Sequence, residues 1–273
     1  MAITKFIPQL WSSALLVRFA QSEVLAQTCN RSYEGDLAKG NTVHITSVTT
    51  PTVVDYKAAG RTITPADLTD TQIDLLIDQE KAFAFNVDDI DRVQAAGSFE
   101  PVTMDAARAL VEDSESFIAG KLLAAGTLVG LGTDVVDTGD KAFDKLNAIR
   151  TTLSKAKVPA GERFFAVNPD FSSLLLGANS KLTAVNISGD AQGLREATLG
   201  RILGGTVVES TLLGTPGKAA VVGYHRSAMA YVNQIDKVEA LRSQTKFADI
   251  VRALHVYGAK AVRPEAIAYW AAA

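Results

Sequence analysis

Three histidines, one cysteine and a short run of aspartates are where this 273-residue chain could carry chemistry. His44, His225 and His255 are far apart, and none sits in a metal-ligand or triad signature. Asp88-Asp89-Ile90-Asp91 places acids close enough to suggest calcium. The run lacks the glycine and distal glutamate of a calcium loop, so its acids read as the start of a short helix, Ile90–Ala96, complementing the helix dipole. Gly200-Arg201-Ile202-Leu203-Gly204-Gly205 has the glycines of a phosphate loop without the Lys-Ser/Thr of a P-loop or the order of a dinucleotide turn. A tight turn before a strand accounts for it. No Gly-x-Ser-x-Gly elbow occurs, and the many carboxylates sit on helix faces or caps without forming a catalytic pair. Cys29 alone excludes an intrachain disulfide and a cysteine-rich metal site, and reads as a small buried apolar residue. No catalytic, cofactor-binding or metal residue is assigned from these residues.

A hydrophobic content of 47% can bury a substantial core, and a net charge of −3 leaves no overall basic footprint for nucleic acid. Charge is unevenly placed. Residues 64–120 carry 13 acidic against 3 basic side chains, and residues 218–263 carry 8 basic against 3 acidic. Two readings stay open: an acidic solvated face, or an acidic part that meets a basic part of a neighbouring copy. The longest uncharged apolar run, Leu122–Thr133, has 12 residues, against the ~20 of a membrane span. With no clean signal sequence at Phe6–Val17, the chain reads as soluble and made in a cytoplasm.

What must be positioned is a long arm, Asn41–Asp91. Its limbs, 41–56 and 73–87, are rich in Val, Ile, Thr and Phe, and the middle, 57–70, is rich in Gly, Pro, Asp and Thr. In the first limb Val43 and Ile45 alternate with Thr42, His44 and Thr46; in the second Phe83, Phe85 and Val87 alternate with alanines. Such an arm has too little core to stand alone. Before it, Pro8–Asn30 has helical periodicity through Trp11, Leu15, Phe19, Leu25 and Cys29, fit either to cover its own core or to reach a partner. After it, Glu100-Pro101 opens the longest helix, with Ala107, Val111, Ser114, Ile118 and Leu122 in one stripe and Asp105, Arg108, Glu112 and Glu115 off it. It ends near Gly126, a spine of roughly 36 Å.

Gly126–Gly139 is a glycine-rich linker. Beyond it come an amphipathic helix (Phe143–Leu153), a buried strand (Arg163–Asn168), a helix (Phe171–Leu176), a polar loop (Lys181–Gln192), a short turn or helix (Leu194–Leu199), and strands at 206–210 and Ala219–Gly223. That order predicts a compact α/β unit. Strands at Met229–Val232, Lys237–Arg242 and Ile250–Val262, closed by EAIAYW (265–270), read as a sheet returning to the spine, so that the α/β unit is inserted.

The pattern resembles the major capsid protein of tailed bacteriophages. YEGDLAKGNTVHI (33–45) resembles the passage from N-terminal arm to extended loop, and FAFNVDDIDRVQ (83–94) the loop's return limb. PVTMDAARALVEDSESFIAGKLL (101–123) is similar to the family's spine helix, GLREATLGRILGGTVVES (193–210) to its axial domain, and VRALHVYGAKAVRPEAIAYW (251–270) to the strands closing its peripheral domain. The resemblance implies an α+β fold: an N-terminal arm (1–40), an extended β-hairpin loop (41–91), a peripheral domain with spine helix and sheet (92–138 and 224–273) and an inserted α/β axial domain (139–223). It implies a structural subunit that self-assembles as pentamers and hexamers into an icosahedral phage head enclosing double-stranded DNA. Assembly would take place in the host bacterial cytoplasm, with the virion as final location.

Separate scaffolding, portal and decoration proteins are the further partners implied, with non-specific DNA contact and no membrane. The predicted helix begins almost at Met1, which favours a separate scaffold over a fused one. Some family members crosslink neighbours through an extended-loop lysine; Lys57 is in the corresponding arm, where a solvated or salt-bridged lysine is the simpler reading. The alternatives are an encapsulin-like cellular shell enclosing enzyme cargo, a soluble α/β enzyme with an oligomerising arm, and a phage tail or decoration protein.

Overall fold

The computed structural model describes residues 24–34, 41–48, 51–58, 60–62, 67, 69–88, 100–131, 133–177 and 200–272. The elements in the first half are helix α1 (Leu25–Thr28), strands β1 (Thr42–Val48), β2 (Asp70–Leu76) and β3 (Gln79–Asp88), helix α2 (Glu100–Ala125), strand β4 (Thr127–Leu128) and helix α3 (Gly139–Lys155). There follow β5 (Arg163–Val167), α4 (Pro169–Leu175), β6 (Arg201–Ile202), β7 (Gly205–Glu209), β8 (Ala220–His225), β9 (Met229–Arg242), β10 (Ala248–Ala261) and β11 (Ile267–Ala271). Readings that fall elsewhere, namely the helix over 8–23, the short helix Ile90–Ala96 and the segments Lys181–Gln192 and Leu194–Leu199, lie outside the described residues.

The α2 helix is the spine. Its 26 residues span ~39 Å, and Leu110, Val111, Ser114, Ile118 and Leu122 are buried at helical spacing. Buried Ser114 returns its hydroxyl to the Val111 carbonyl at 2.9 Å, leaving no polar group exposed to the core. Gly126 takes the chain out of the helix where a Cβ would lie 2.9 Å from the Tyr269 ring, so a side chain here would collide with β11.

A six-stranded sheet in the order β4-β11-β8-β5-β7-β6 forms the second unit. Helix α3 lays Ala142, Leu146, Ile149 and Leu153 against Phe165, Val167, Phe171, Val221 and Trp270. Buried Asn168 caps α4: its Oδ1 accepts from Phe171 N and Ala220 N, both at 3.0 Å, and its Nδ2 donates to the Lys218 carbonyl at 2.6 Å. One side chain thus fixes strand β5, helix α4 and strand β8 together. The glycine-rich 200–205 stretch is the turn the sequence suggests. Leu203 (φ 50°) and Gly204 (φ 86°) form the two-residue loop of the β6–β7 hairpin.

Three sequence expectations are corrected. The second arm limb, read as one strand over 73–87, is two strands in different sheets. β2 pairs antiparallel with β1, whereas β3 pairs with β10 in a three-stranded sheet, β3-β10-β9. The extended hairpin is therefore β1–β2, and Phe83, Phe85 and Val87 belong to the body of the chain. The second correction concerns the closing segment EAIAYW. β11 does not join β9 and β10 but inserts between β4 and β8 in the six-stranded sheet, pairing Ile267 with Tyr224 and Trp270 with Val221. The separately predicted strands 229–232 and 237–242 are one 14-residue strand with a bulge, opposite Val256/Tyr257.

Candidate assembly surfaces

The chemically capable residues do not converge. His44 projects from the solvent face of β1, with Nδ1 2.7 Å from Asp74 Oδ1 and 2.6 Å from Gln72 Nε2. Hydrogen bonds from His44 and Gln72 hold the Asp74 carboxyl below its ordinary pKa. His225 ends β8, where its Nδ1 accepts from Ser227 N at 3.2 Å and partial burial lowers its pKa. His255 is buried on β10, its ring centroid 4.7 Å from that of Tyr257. Cys29 is buried in the core beside α1. Among the described residues no group of three or more His, Cys, Asp or Glu is placed to hold a metal.

The organised surfaces are those that hold the arms. The arm hairpin seats its root on the three-stranded sheet: Val43, Ile45, Leu75 and Ile77 pack against Ala230, Val232 and Val256. Lys260 Nζ donates to the Asp74 carbonyl at 2.7 Å. Gly258 passes so close beneath the hairpin that a Cβ would meet the Leu76 carbonyl oxygen and lie 3.0 Å from Ile77 Cα. Beyond the root, the 51–62 stretch turns back through Asp55, whose Oδ1 accepts from Lys57 N at 3.0 Å, and through the Tyr56 carbonyl, which accepts from Arg61 N at 2.8 Å. This tip exposes Val53 (95%), Val54 and Tyr56 together with Lys57.

The N-terminal segment is held by a residue the sequence reading put on the wrong face. Glu115 is only 4% exposed, and its carboxylate accepts from Val24 N (3.1 Å), Leu25 N (2.8 Å) and Ala26 N (3.0 Å). These are the unpaired donors at the start of α1. Thr28 hydrogen-bonds the buried Tyr224 hydroxyl, and Asn30 bridges to Ala230, donating to the Met229 carbonyl at 2.8 Å. The available signal for Glu115 was its place one step past Ser114 and three before Ile118, at the edge of the buried stripe.

Even-numbered residues of β10 form an outer face that the hairpin covers only at its base. Farther along lies a groove of about 490 Å³ lined by Ala82, Ala84, Leu254, Lys237, Glu239 and Arg252. At the end of the β9–β10 hairpin Phe247 is 81% exposed. The charged side chains of 64–120 and 218–263 are paired partly inside their own stretch, and Lys260 reaches from one to the other through a backbone carbonyl. Lys81 pairs with Asp113 at 3.5 Å, and Lys260 holds the arm. Arg252 meets Glu239, also in its own chain, at 2.5 Å.

The described residues thus form a spine helix, a strand-rich body, and an arm hairpin and an N-terminal segment anchored on that body. The comparisons give the class. A family model described as phage capsid protein matches residues 75–270. The solved structure of Mycobacterium phage Che8 is similar at 48% identity over 91% of each chain, with a TM-score of 0.84. At 15% identity the capsid structure of the cyanophage P-SCSP1u shares the fold over 86% of this chain and 84% of that one, with a TM-score of 0.72. A virus-like particle from Pyrococcus furiosus shares it at 16% identity over 96% of this chain and 98% of that one, with a TM-score of 0.64. No curated protein matches the sequence. The chain belongs to the phage capsid protein family, and its role is that of a structural major capsid protein of the virion.

Proposed function

We propose that this chain assembles as pentamers and hexamers into an icosahedral head that encloses double-stranded DNA. The observation that carries the reading is the arm tip: Val53, Val54 and Tyr56 are exposed at the end of a hairpin whose root is fixed on its own body. A monomer gains nothing from presenting apolar side chains there, whereas a neighbouring copy buries them. Small Ala82 and Ala84 beside Leu254 supply a matching apolar floor in the outer groove. The mechanism is binding without catalysis, and DNA inside the head is met without sequence readout.

The same reading divides the chain into an N-terminal arm (1–40), an extended loop (41–91), a peripheral domain (92–138 and 224–273) and an axial domain (139–223). The described topology favours moving β3 from the loop to the peripheral domain and β11 from the peripheral to the axial domain. Scaffolding, portal and decoration proteins are the partners the reading adds, with assembly in the host bacterial cytoplasm. Electron microscopy of the expressed chain tests it: closed polyhedral shells are expected, and a uniformly small oligomer under all conditions overturns the reading. Nucleic acid in particles purified from a lysate supports a phage head, and packed enzyme in its place supports a cargo shell.

A further inference from the structure

The base of the β9–β10 hairpin is shared by both extensions, one on each face. Met229 and Tyr231 point to the core that contains Leu25, Ala26 and Cys29 of the N-terminal segment and Ile118 and Leu122 of the spine. Their neighbours Ala230 and Val232 point the opposite way, into the cluster formed by the arm hairpin. Strand β10 alternates in the same sense. Tyr257 reaches the spine, its hydroxyl donating to Asp113 Oδ2 at 2.6 Å, while Gly258 and Lys260 meet the hairpin. No further layer separates the two contacts: one sheet thickness lies between the N-terminal segment and the arm hairpin. The backbone of this base also carries the N-terminal segment directly, since Asn30 N donates to the Met229 carbonyl and Tyr231 N donates to the Asn30 carbonyl at 3.1 Å.

We propose that the base of the hairpin, residues 229–232 and 256–260, couples the two extensions, so that unseating the arm hairpin loosens the hold on residues 24–30, and releasing residues 24–30 loosens the arm hairpin. Close-packed interiors transmit displacement because they have no slack to absorb it. The hairpin seat is apolar packing whose close approach Gly258 permits by having no Cβ, and Lys260 ties it at one point. Hold on the N-terminal segment combines core burial of Leu25, Ala26 and Cys29 with hydrogen bonds, three of which end on the one side chain of Glu115. Each contact can therefore be broken alone. Linkage then requires reciprocity: full release of one contact loosens the other by the same factor in either direction, so each variant's far effect scales with its near one. The coupling belongs to the single chain. It stands or falls separately from shell assembly, which microscopy reads on its own.

Hydrogen–deuterium exchange on the full chain, with variants compared in the same oligomeric form, tests the proposal. Gly258→Ala is expected to raise exchange in β1 and β2, and also at Leu25 and Ala26, by at least about fivefold. Glu115→Gln is expected to raise it at Leu25 and Ala26 and, by a comparable factor, in β1 and β2. The amides of Phe165–Val167 in the six-stranded sheet serve as the control and should not change. A rise confined to the mutated contact overturns the coupling, and so does an equal rise everywhere, control included. If Gly258→Ala does not fold, Lys260→Met takes its place, removing only the tie to the Asp74 carbonyl. Unchanged exchange in β1 and β2 of that variant overturns the seat; a rise there without one at Leu25 and Ala26 overturns the coupling.

Discussion

The carboxylate of Glu115 accepts a hydrogen bond from the backbone N–H of Leu25 at 2.8 Å, across 90 positions of sequence. Two more N–H groups, those of Val24 and Ala26, close on the same side chain. A buried acid is tolerated here because its lone pairs meet donors that would otherwise be unsatisfied at a helix start. Glu115→Ala leaves those donors without their acceptor and is expected to cost about 2–4 kcal/mol in urea unfolding. Glu115→Gln keeps the volume but offers one acceptor oxygen, so a smaller loss is expected. An unchanged midpoint for Glu115→Ala would show that the contact is not held in solution.

Phe165 is wedged between two glycines. A Cβ at Gly205 would lie 2.5 Å from its ring, and one at Gly223 would lie 3.0 Å from it. The ring is fully buried under α3 and cannot swing into solvent. Gly205→Ala is therefore expected to destabilise the chain by roughly 1–3 kcal/mol through overpacking. Gly204→Ala is the contrasting case: nothing lies within 4 Å of the added Cβ, and the cost is the positive φ of 86° alone. Thermal unfolding of the two variants separates crowding from backbone strain.

Alkaline pH should unfold the protein through its buried tyrosines. Burial raises the pKa of Tyr224 well above the ordinary value of 10.0, and burial with the neighbouring Asp113 carboxylate also raises that of Tyr257. Both folded-state values stand above the unfolded ones. The folded state therefore keeps its protons longer, the stability is fully present below pH about 10, and it falls as pH rises beyond that. Tyr224→Phe is expected to flatten the loss above pH 10 while costing stability at neutral pH, because Thr28 then loses its hydroxyl partner. Urea midpoints measured from pH 7 to pH 11 check both halves of the expectation.

The elements legible in the sequence are those set by local periodicity. The spine's buried stripe, the α3 face and the turn before β7 each follow from residues within a few positions of one another. What was hidden depends on pairing between distant segments. Residues 73–87 are uniformly strand-like, so composition gives no sign that β2 joins β1 while β3 crosses to β10. EAIAYW suits either sheet, and only its pairing with Tyr224 and Val221 assigns it. Glu115 was hidden by its charge, which placed it outside a stripe whose edge it occupies.

The arm tip provides the sharpest separation between folding and assembly. Val53, Val54 and Tyr56 are exposed, and the hairpin root that anchors them is formed by other residues, Val43, Ile45, Leu75 and Ile77. Val53→Ser with Val54→Ser and Tyr56→Ser removes apolar surface from the tip without touching the root. Surface changes of this kind alter stability within about 0.5 kcal/mol, so the urea midpoint of the unassembled chain should stay in place. Under the proposed assembly, in which another copy buries these side chains, shell formation followed by sedimentation and microscopy should be lost or moved to higher protein concentration. Lys57 sits among them with its side chain in solvent. Denaturing electrophoresis of wild-type shells shows whether it is bonded to a neighbour: a ladder of multiples that disappears in Lys57→Arg means a covalent bond, and a single monomer band means the lysine is simply solvated. Shells that form normally from the triple variant would transfer the assembly contact from the tip to the outer groove and the Phe247 end of the β9–β10 hairpin.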